Sequence, residues 1–126
     1  MNLQIDLNQS GLALIFRDYQ EEALRFIWEN RGEGASSREV WNHLNKVLIA
    51  KEQGSVSRFF RISRASIINF LNAMVDEGIL GFYETTGKGG HRRIYSARLD
   101  EKKFWLKIIA ATLGKLEEAS GVTLRR

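Results

Sequence analysis

The sequence predicts a mainly α-helical α+β fold with one small β hairpin. Apolar residues recur at helical spacing in four segments, residues 17–31, 36–53, 63–77 and 100–119. Two strand-like runs, residues 79–83 and 93–96, instead flank a glycine-rich loop. The chain has 126 residues, 44% of them hydrophobic. It is therefore long enough for one domain with a buried core.

Residues 1–16 form a separate N-terminal segment with alternating apolar side chains. The apolar positions are Leu3, Ile5, Leu7, Leu12, Leu14 and Phe16. A turn-like stretch at residues 8–11 separates the two halves, which predicts a small hairpin. An extended arm that crosses a partner subunit would have the same pattern, so both interpretations stay open.

The main domain, residues 17–98, begins with two helices that carry start signals. Asp18 and Glu21 have the spacing of a capping box, and so have Ser36 and Glu39. We expect the second helix to run to about residue 53, where a glycine follows.

Residues 54–62 join the second helix to the third, and two interpretations stay open. Either the whole stretch is a long connection, or residues 56–60 form a short helix before a tight turn. The apolar side chains of Val56, Phe59, Phe60 and Ile62 need burial, which favours the short helix. The third helix is the same in both interpretations.

The third helix, residues 63–77, has two end signals and one apolar stripe. Ser63 is a good N-cap, and Gly78 stands where a left-handed residue ends a helix. The stripe consists of Ile67, Phe70, Leu71, Met74 and Val75.

The opposite side of this helix is a candidate surface for reading DNA. Its candidate residues are Ser63, Arg64, Ser66, Ile68, Asn69 and Asn72. Asparagine pairs with adenine, arginine pairs with guanine, and a branched apolar side chain fits a thymine methyl group. The alternative is a solvated face of an ordinary amphipathic helix.

A cationic, glycine-rich loop joins the two predicted strands. Glycine lets the backbone approach a phosphate chain, and cationic side chains bind phosphate or enter the minor groove. The candidate contacts are Lys88, Gly89, Gly90, His91, Arg92 and Arg93. No Gly-Lys-Ser/Thr pattern opens a helix here, which argues against a nucleotide cradle; a plain solvated hairpin stays an alternative. A helix followed by such a hairpin is typical of a winged helix-turn-helix protein.

The charge distribution favours a nucleic-acid surface on this part of the chain. The net charge is +4, and residues 54–98 hold seven cations and three anions. The whole excess therefore falls on the stretch that contains the predicted reading helix, the hairpin and the connection before the helix, as expected for a DNA-binding face.

The segment at residues 99–119 is expected to be a dimerisation helix with Asp100 as its N-cap. Its broad apolar face follows a domain whose helices already have partners, and two copies would read two half-sites. Folding back onto its own domain is the alternative. The candidate dimerisation residues are Trp105, Ile108, Ile109, Thr112, Leu113 and Leu116. Residues 120–126 form a tail.

The composition argues against several other classes of protein. There is no cysteine, hence no disulfide and no thiolate metal site. No apolar run approaches the ~18 residues of a membrane span, and no signal-peptide pattern opens the chain, so we expect a cytoplasmic protein without membrane contact. His43 and His91 lack metal spacing, and no serine has a nucleophile-elbow context. We expect neither enzymatic activity nor a cofactor.

Residues 63–96 resemble the penicillinase-repressor type of winged-helix regulator, and more loosely the MarR type. The matching features are the Ser63-initiated helix, Phe70-Leu71-Asn72, Val75 followed by two charges, Gly78-Ile79-Leu80, and the hairpin end Ile94-Tyr95-Ser96. In order of elements the resemblance covers residues 17–119. It implies a cytoplasmic homodimeric repressor that binds a palindromic operator in double-stranded DNA. Its reading residues would be Ser63, Arg64, Ser66 and Asn69, with residues 88–93 as the wing.

The sequence departs from that family where the inducing signal is concerned. Some relatives sense copper through cysteines, and others are cleaved at an Asn-Phe bond, yet no asparagine follows Leu99. A groove between the C-terminal helix and the reading domain could bind a small-molecule effector, as in MarR-type proteins. Trp28, Trp41 or Trp105 would line it, or would equally well be core residues.

The rival function is a winged-helix module that binds an acidic protein partner in a transcription or assembly complex.

Overall fold

The structure, a computed structural model, describes residues 4–30, 33–52, 62–87 and 90–124. A short 3-10 helix at Gly11–Leu14 precedes the regular elements. These are α1 (Asp18–Glu29), β1 (Ala35–Ser36), α2 (Ser37–Glu52), α3 (Arg64–Asp76), β2 (Leu80–Gly87), β3 (Gly90–Ala97) and α4 (Glu101–Ser120). Helices with one small antiparallel sheet confirm the predicted α+β fold class.

The start of α1 differs from the predicted capping pair of Asp18 and Glu21. Arg17 is the N-cap, and its backbone N–H donates to Gln20 Oε1 at 3.3 Å. The Glu21 carboxylate instead accepts a bond from Arg25 Nε at 3.3 Å, one turn further along. The capping pair therefore lies one residue earlier than predicted, because the extended backbone of Arg17 makes this residue the N-cap and Gln20 the N3 residue.

The start of α2 confirms the predicted pair of Ser36 and Glu39. The Glu39 N–H donates to Ser36 Oγ at 3.2 Å, and the Ser36 N–H donates to Glu39 Oε1 at 3.3 Å. Ser36 also belongs to β1, a strand that the sequence pattern did not predict. This strand pairs antiparallel with β3 and gives a sheet of order β1-β3-β2.

The third helix forms as predicted, whereas the β2–β3 hairpin has longer strands than predicted. Residues 84–87 and 90–92, which were expected in the glycine-rich loop, are paired in β2 and β3. Ser63 Oγ caps α3 by accepting from the Ser66 N–H at 3.1 Å. Gly78 has a left-handed φ of 76°, which ends the helix and turns the chain into β2. The hairpin pairs Leu80 with Ala97 at its base and Gly87 with Gly90 at its tip.

The link between α2 and α3 is described only at its end. Residues 53–61 lie outside the described residues, so both interpretations of residues 54–62 stay open. Ile62 packs against the core, and its carbonyl accepts a bond from Trp41 Nε1 at 2.8 Å. This bond ties the entrance of α3 to α2.

The N-terminal segment does not contain the predicted hairpin. Among residues 4–16 no strand forms, and Gly11–Leu14 is a 3-10 helix that starts at a left-handed glycine. Leu12 and Phe16 are both buried in the core. Their four-residue spacing, not the two-residue alternation, decides which side chains face inward. The alternative of an arm that crosses a partner subunit stays a prediction for the residues before Gly11.

The core lies between α1, α2, α3, the base of the hairpin and the first half of α4. Its largest fully buried side chains include Phe104, Leu24, Ile27, Leu44, Ile67, Leu71, Ile79 and Leu80. Asp100 caps α4 by accepting from the Lys103 N–H at 2.8 Å. Trp28 Nε1 donates to the Leu99 carbonyl at 2.9 Å, so α1 holds the chain where it enters α4.

Candidate nucleic-acid interface

The first half of α3 presents an exposed polar surface. Burial of Ile67, Phe70, Leu71 and Met74 fixes the rotation of the helix about its axis. The opposite side is therefore directed outward, and the exposed residues there are Ser63, Arg64, Ala65, Ser66 and Asn69. This side has the short, polar and basic side chains that the sequence analysis assigned to a reading helix.

The two serines of this surface are partly engaged with each other. Ser63 accepts the cap bond from the Ser66 backbone, and its hydroxyl donates to Ser66 Oγ at 2.9 Å. Ser63 thus serves the helix end, while the Ser66 hydroxyl accepts the bond from Ser63 and keeps its own proton as a donor. Of the two, Ser66 is the better placed to meet a ligand.

Arg64 brings the starts of two helices together. Its Nη2 donates to Ser37 Oγ at 3.4 Å, and Ser37 is the first residue of α2. A cation next to two helix N-termini creates a positive region, because unpaired N–H groups gather at a helix start. Ser37 was not among the predicted site residues, since its sequence position gives no sign of a contact with α3.

Asn72 does not have the exposed side chain that its predicted role in reading DNA requires. It is half-buried, and its Oδ1 accepts bonds from Tyr95 Oη at 2.7 Å and from Arg93 Nη1 at 3.0 Å. Ile68 is also half-buried rather than exposed. The Tyr95 and Arg93 side chains, both on β3, reach α3 and contact Asn72.

The cations of the hairpin lie on both of its faces. Since successive residues of a strand alternate sides, His91, Arg93 and Tyr95 share the face that looks toward α3, whereas Arg92 lies on the other face. Arg93 is further fixed by Phe82, whose ring centroid lies 4.0 Å from the guanidinium carbon. Gly90 is exposed with a φ of 98°. Lys88 and Gly89 lie outside the described residues.

Tyr95 was not predicted as a site residue, although its side chain joins α3 to the hairpin. It is 2% exposed, and burial raises the pKa of its phenol, while the charge of Arg93 and a hydrogen bond to Arg93 act in the opposite direction. The phenol therefore stays protonated near neutral pH and is a hydrogen-bond donor. Its position two residues after Arg93, on a strand, was the available signal.

The predicted dimerisation residues of α4 divide into two groups. Ile108 is buried in the core, and Trp105 packs against it, so these two face their own domain. Thr112 and Leu113 are half-buried, while Ile109 and Leu116 are more than half exposed. Ile108 and Trp105 were thus assigned to the wrong side, because a broad apolar stripe does not indicate which edge docks on the core.

A continuous apolar seam lies on the outward side of α4. Its members are Leu106, Ile109, Leu113 and Leu116. Their spacing of three, four and three residues is that of a coiled-coil contact line. Leu106 belongs to this outer seam although it was not among the predicted dimerisation residues.

The tryptophans proposed for an effector groove have separate packing roles. The indole N–H groups of Trp28 and Trp41 are bonded to backbone carbonyls in different parts of the core. Trp105 lies against Phe104, with ring centroids 5.7 Å apart. Trp28 also lies 5.7 Å from Phe104, so Trp28 and Trp105 pack against the same ring, whereas Trp41 is bonded at the entrance of α3.

The histidines are placed in two different environments. His43 stacks on Phe26 with ring centroids 4.3 Å apart and lies 4.0 Å from a Glu22 oxygen. His91 is exposed on the hairpin. Among the described residues, no group of three or more His, Asp or Glu side chains is arranged to hold a metal ion. No helix in the described part of the chain is long and apolar enough to cross a membrane.

Comparisons with known proteins do not identify a family for this chain. No protein-family model matches the chain, and no curated protein matches it significantly. A similar solved structure is that of a PadR family transcription regulator from hypervirulent Clostridium difficile. The two chains are 18% identical, and the match covers 82% of this chain and 95% of that one with a TM-score of 0.41. So distant a likeness does not assign the chain to that family.

Proposed function

We propose that this chain is a sequence-specific DNA-binding transcriptional regulator. The observation that carries the proposal is the exposed, polar first half of α3, on a helix that Asn72 links to Arg93 of the cationic hairpin. Both elements belong to residues 54–98, the part of the chain that holds the whole net charge. A helix of this kind fits the major groove, and a cationic hairpin next to it fits the neighbouring backbone or minor groove.

The candidate residues have different roles in this proposal. Arg64 and Asn69 are the exposed side chains of α3 that can pair with base edges, and Ser66 is a candidate phosphate or base contact. Arg92 and Arg93 supply positive charge along the hairpin, where Lys88 adds a further cation by sequence, and His91 is a further candidate contact. Base preference therefore comes from α3, and most of the salt-dependent affinity comes from the hairpin.

The regulator acts as a homodimer in this proposal. The outer seam of α4 has four apolar residues at coiled-coil spacing, and three of them, Leu106, Ile109 and Leu116, are between 57% and 59% exposed. A second copy that packs against this seam would bury them and supply a second reading helix. Two-fold symmetry in the protein then requires a palindromic operator, and occupation of such a site represses transcription most simply by blocking it.

The test is DNA binding as a function of salt. Fluorescence anisotropy with random duplex DNA should show affinity that falls steeply between low and moderate salt, and selection from genomic fragments should recover one preferred sequence. Asn69→Ala should relax the preference at one base pair in each half-site, whereas Arg92→Ala should leave the preferred sequence unchanged. If no duplex binds even at low salt, the chain is instead a module for an acidic protein partner.

A further inference from the structure

We propose that Tyr95 is a positioning residue for DNA binding, because its buried phenol holds Asn72 and, through Asn72, fixes Arg93 beside α3. The inference rests on the proposed function and adds a residue that cannot itself touch DNA. It also replaces the reading role of Asn72 with a structural link between the two DNA-binding elements.

One oxygen atom joins the three side chains. Asn72 Oδ1 accepts from Tyr95 Oη at 2.7 Å and from Arg93 Nη1 at 3.0 Å. Arginine has only donors, so the oxygen of the Asn72 amide must face Arg93 and its NH₂ group must turn away. The orientation of the amide thus follows from the chemistry of its neighbours.

This arrangement conflicts with base reading by Asn72. A carbonyl oxygen has two lone pairs, and here two donors occupy them. Bidentate pairing of asparagine with adenine needs that same oxygen together with the NH₂ group. Asn72 would have to release both Tyr95 and Arg93 before it could pair with a base.

Arg93 gains a fixed position from these contacts. Its guanidinium is held from one side by Asn72 and lies over the Phe82 ring, with 4.0 Å between the guanidinium carbon and the ring centroid. Only one N–H bond to Asn72 is needed, and an arginine has five N–H donors, so others are free to bind a phosphate. A long side chain that is already ordered loses less rotamer entropy when it binds.

Tyr95 contributes to this order without reaching the surface. It is 2% exposed, and its neighbours in β1 and β2 are Ala35 and Phe82. Any effect of its hydroxyl on DNA affinity must therefore pass through Asn72 and Arg93. That restriction makes the inference testable, because removal of Arg93 should abolish the effect.

The experiment compares four full-length proteins: the wild type, Tyr95→Phe, Arg93→Ala and the double variant. DNA affinity is measured by anisotropy on the selected duplex, and stability is measured by thermal unfolding. We expect Tyr95→Phe to weaken binding about threefold to tenfold, the range for loss of one hydrogen bond. In the Arg93→Ala background the same substitution should leave the affinity unchanged within about twofold. Tyr95→Phe should change the melting temperature both in the wild-type background and in the Arg93→Ala background.

The outcomes separate this inference from the proposed function. If the wild type binds no duplex at low salt, both fail. If the wild type binds but Tyr95→Phe has no effect, or has the same effect with and without Arg93, only the positioning role is overturned.

A second variant, Asn72→Ala, provides an independent check that does not depend on Tyr95→Phe. A positioning role predicts weaker binding to all sequences with an unchanged preferred site. Relaxed preference at one base pair would return Asn72 to the reading role and overturn the inference.

Discussion

Arg92 and Arg93 are neighbours in the chain but lie on opposite faces of the β2–β3 hairpin. Arg93 faces α3 and is bonded to Asn72 at 3.0 Å, whereas Arg92 is paired across the hairpin with Thr85 on the other face. The two arginines have the same charge and nearly the same place in the sequence. They therefore form a matched pair for asking which face of the hairpin meets DNA.

Arg93→Ala is expected to weaken DNA binding more than Arg92→Ala. Each phosphate contact contributes about 0.9 to the slope of log affinity against log salt, so loss of Arg93 should lower the slope by about 1. Arg92→Ala should lower it less, because its side chain points away from α3. The measurement is a salt titration of duplex binding for both variants.

Lys115→Ala is the control for this comparison. It removes one positive charge from α4, where the Lys115 side chain is 83% exposed and is 3.8 Å from Glu118. The slope should stay at the wild-type value. A larger decrease in the salt slope for Arg92→Ala than for Arg93→Ala would show that the hairpin approaches DNA with the face that carries Arg92.

Local signals were sufficient to predict most of the fold. The caps at Ser36, Ser63 and Asp100 each accept the backbone bond expected of them, and Gly78 has the left-handed φ of a helix end. These features depend on residues a few positions apart. Spacing and side-chain chemistry therefore suffice to find them.

Contacts between distant residues were not predictable in the same way. Strand β1 has two residues, and it forms because Ala35 and Ser36 pair with Tyr95 and Ile94, about sixty positions later. The polar-face position of Asn72 follows from helical spacing, but its contacts with Tyr95 and Arg93 depend on where the distant strand β3 lies. On α4 the apolar stripe was evident, whereas its division into a core edge and an outer seam depends on how the helix docks.

Ile109→Glu is expected to convert the protein from a dimer into a monomer. The side chain is 57% exposed at the middle of the outer seam, and burying a carboxylate against a second copy is strongly unfavourable. Sedimentation equilibrium should give twice 14.4 kDa for the wild type and 14.4 kDa for the variant.

Two further variants control for this result. Ala111→Glu adds the same charge at an exposed position about 200° round the helix from Ile109, so the dimer should persist. Ile108→Ala should leave the dimer intact but lower the free energy of unfolding by about 2–5 kcal/mol, because Ile108 is a core residue. Dissociation by Ala111→Glu would place the interface elsewhere.

Gly34→Ala is expected to destabilise the protein more than a left-handed conformation alone explains. Gly34 has a φ of 75°, and an added Cβ would lie 2.6 Å from the Tyr95 carbonyl oxygen and 2.9 Å from Ile94 Cγ2. Gly11→Ala is the matched control, since its φ is 63° and nothing lies within 4 Å of an added Cβ. Urea unfolding should show a cost of about 1–2 kcal/mol for Gly11→Ala and a larger cost for Gly34→Ala. Equal costs would mean that β1 moves freely away from β3.

The stability conferred by the Tyr95 hydroxyl should decrease at high pH. Burial raises the pKa of the Tyr95 phenol above its ordinary value near 10, with Arg93 acting in the opposite direction. Because the folded state holds the proton more tightly than the unfolded state, this stabilisation is complete below about pH 10 and is lost as the pH rises through the folded-state pKa. A tenfold difference in proton affinity between the two states corresponds to about 1.4 kcal/mol.

Urea unfolding of the wild type and Tyr95→Phe at pH 8 and pH 11 measures this effect, since all other ionisable groups are common to both proteins. The advantage of the wild type over the variant should be smaller at pH 11. In the Arg93→Ala background the pKa of Tyr95 should rise further, because the opposing charge is gone. The stabilisation by the Tyr95 hydroxyl should then be lost only at higher pH. A wild-type advantage that stays constant over this range would mean that the phenol is not held in a buried, proton-retaining contact with Asn72.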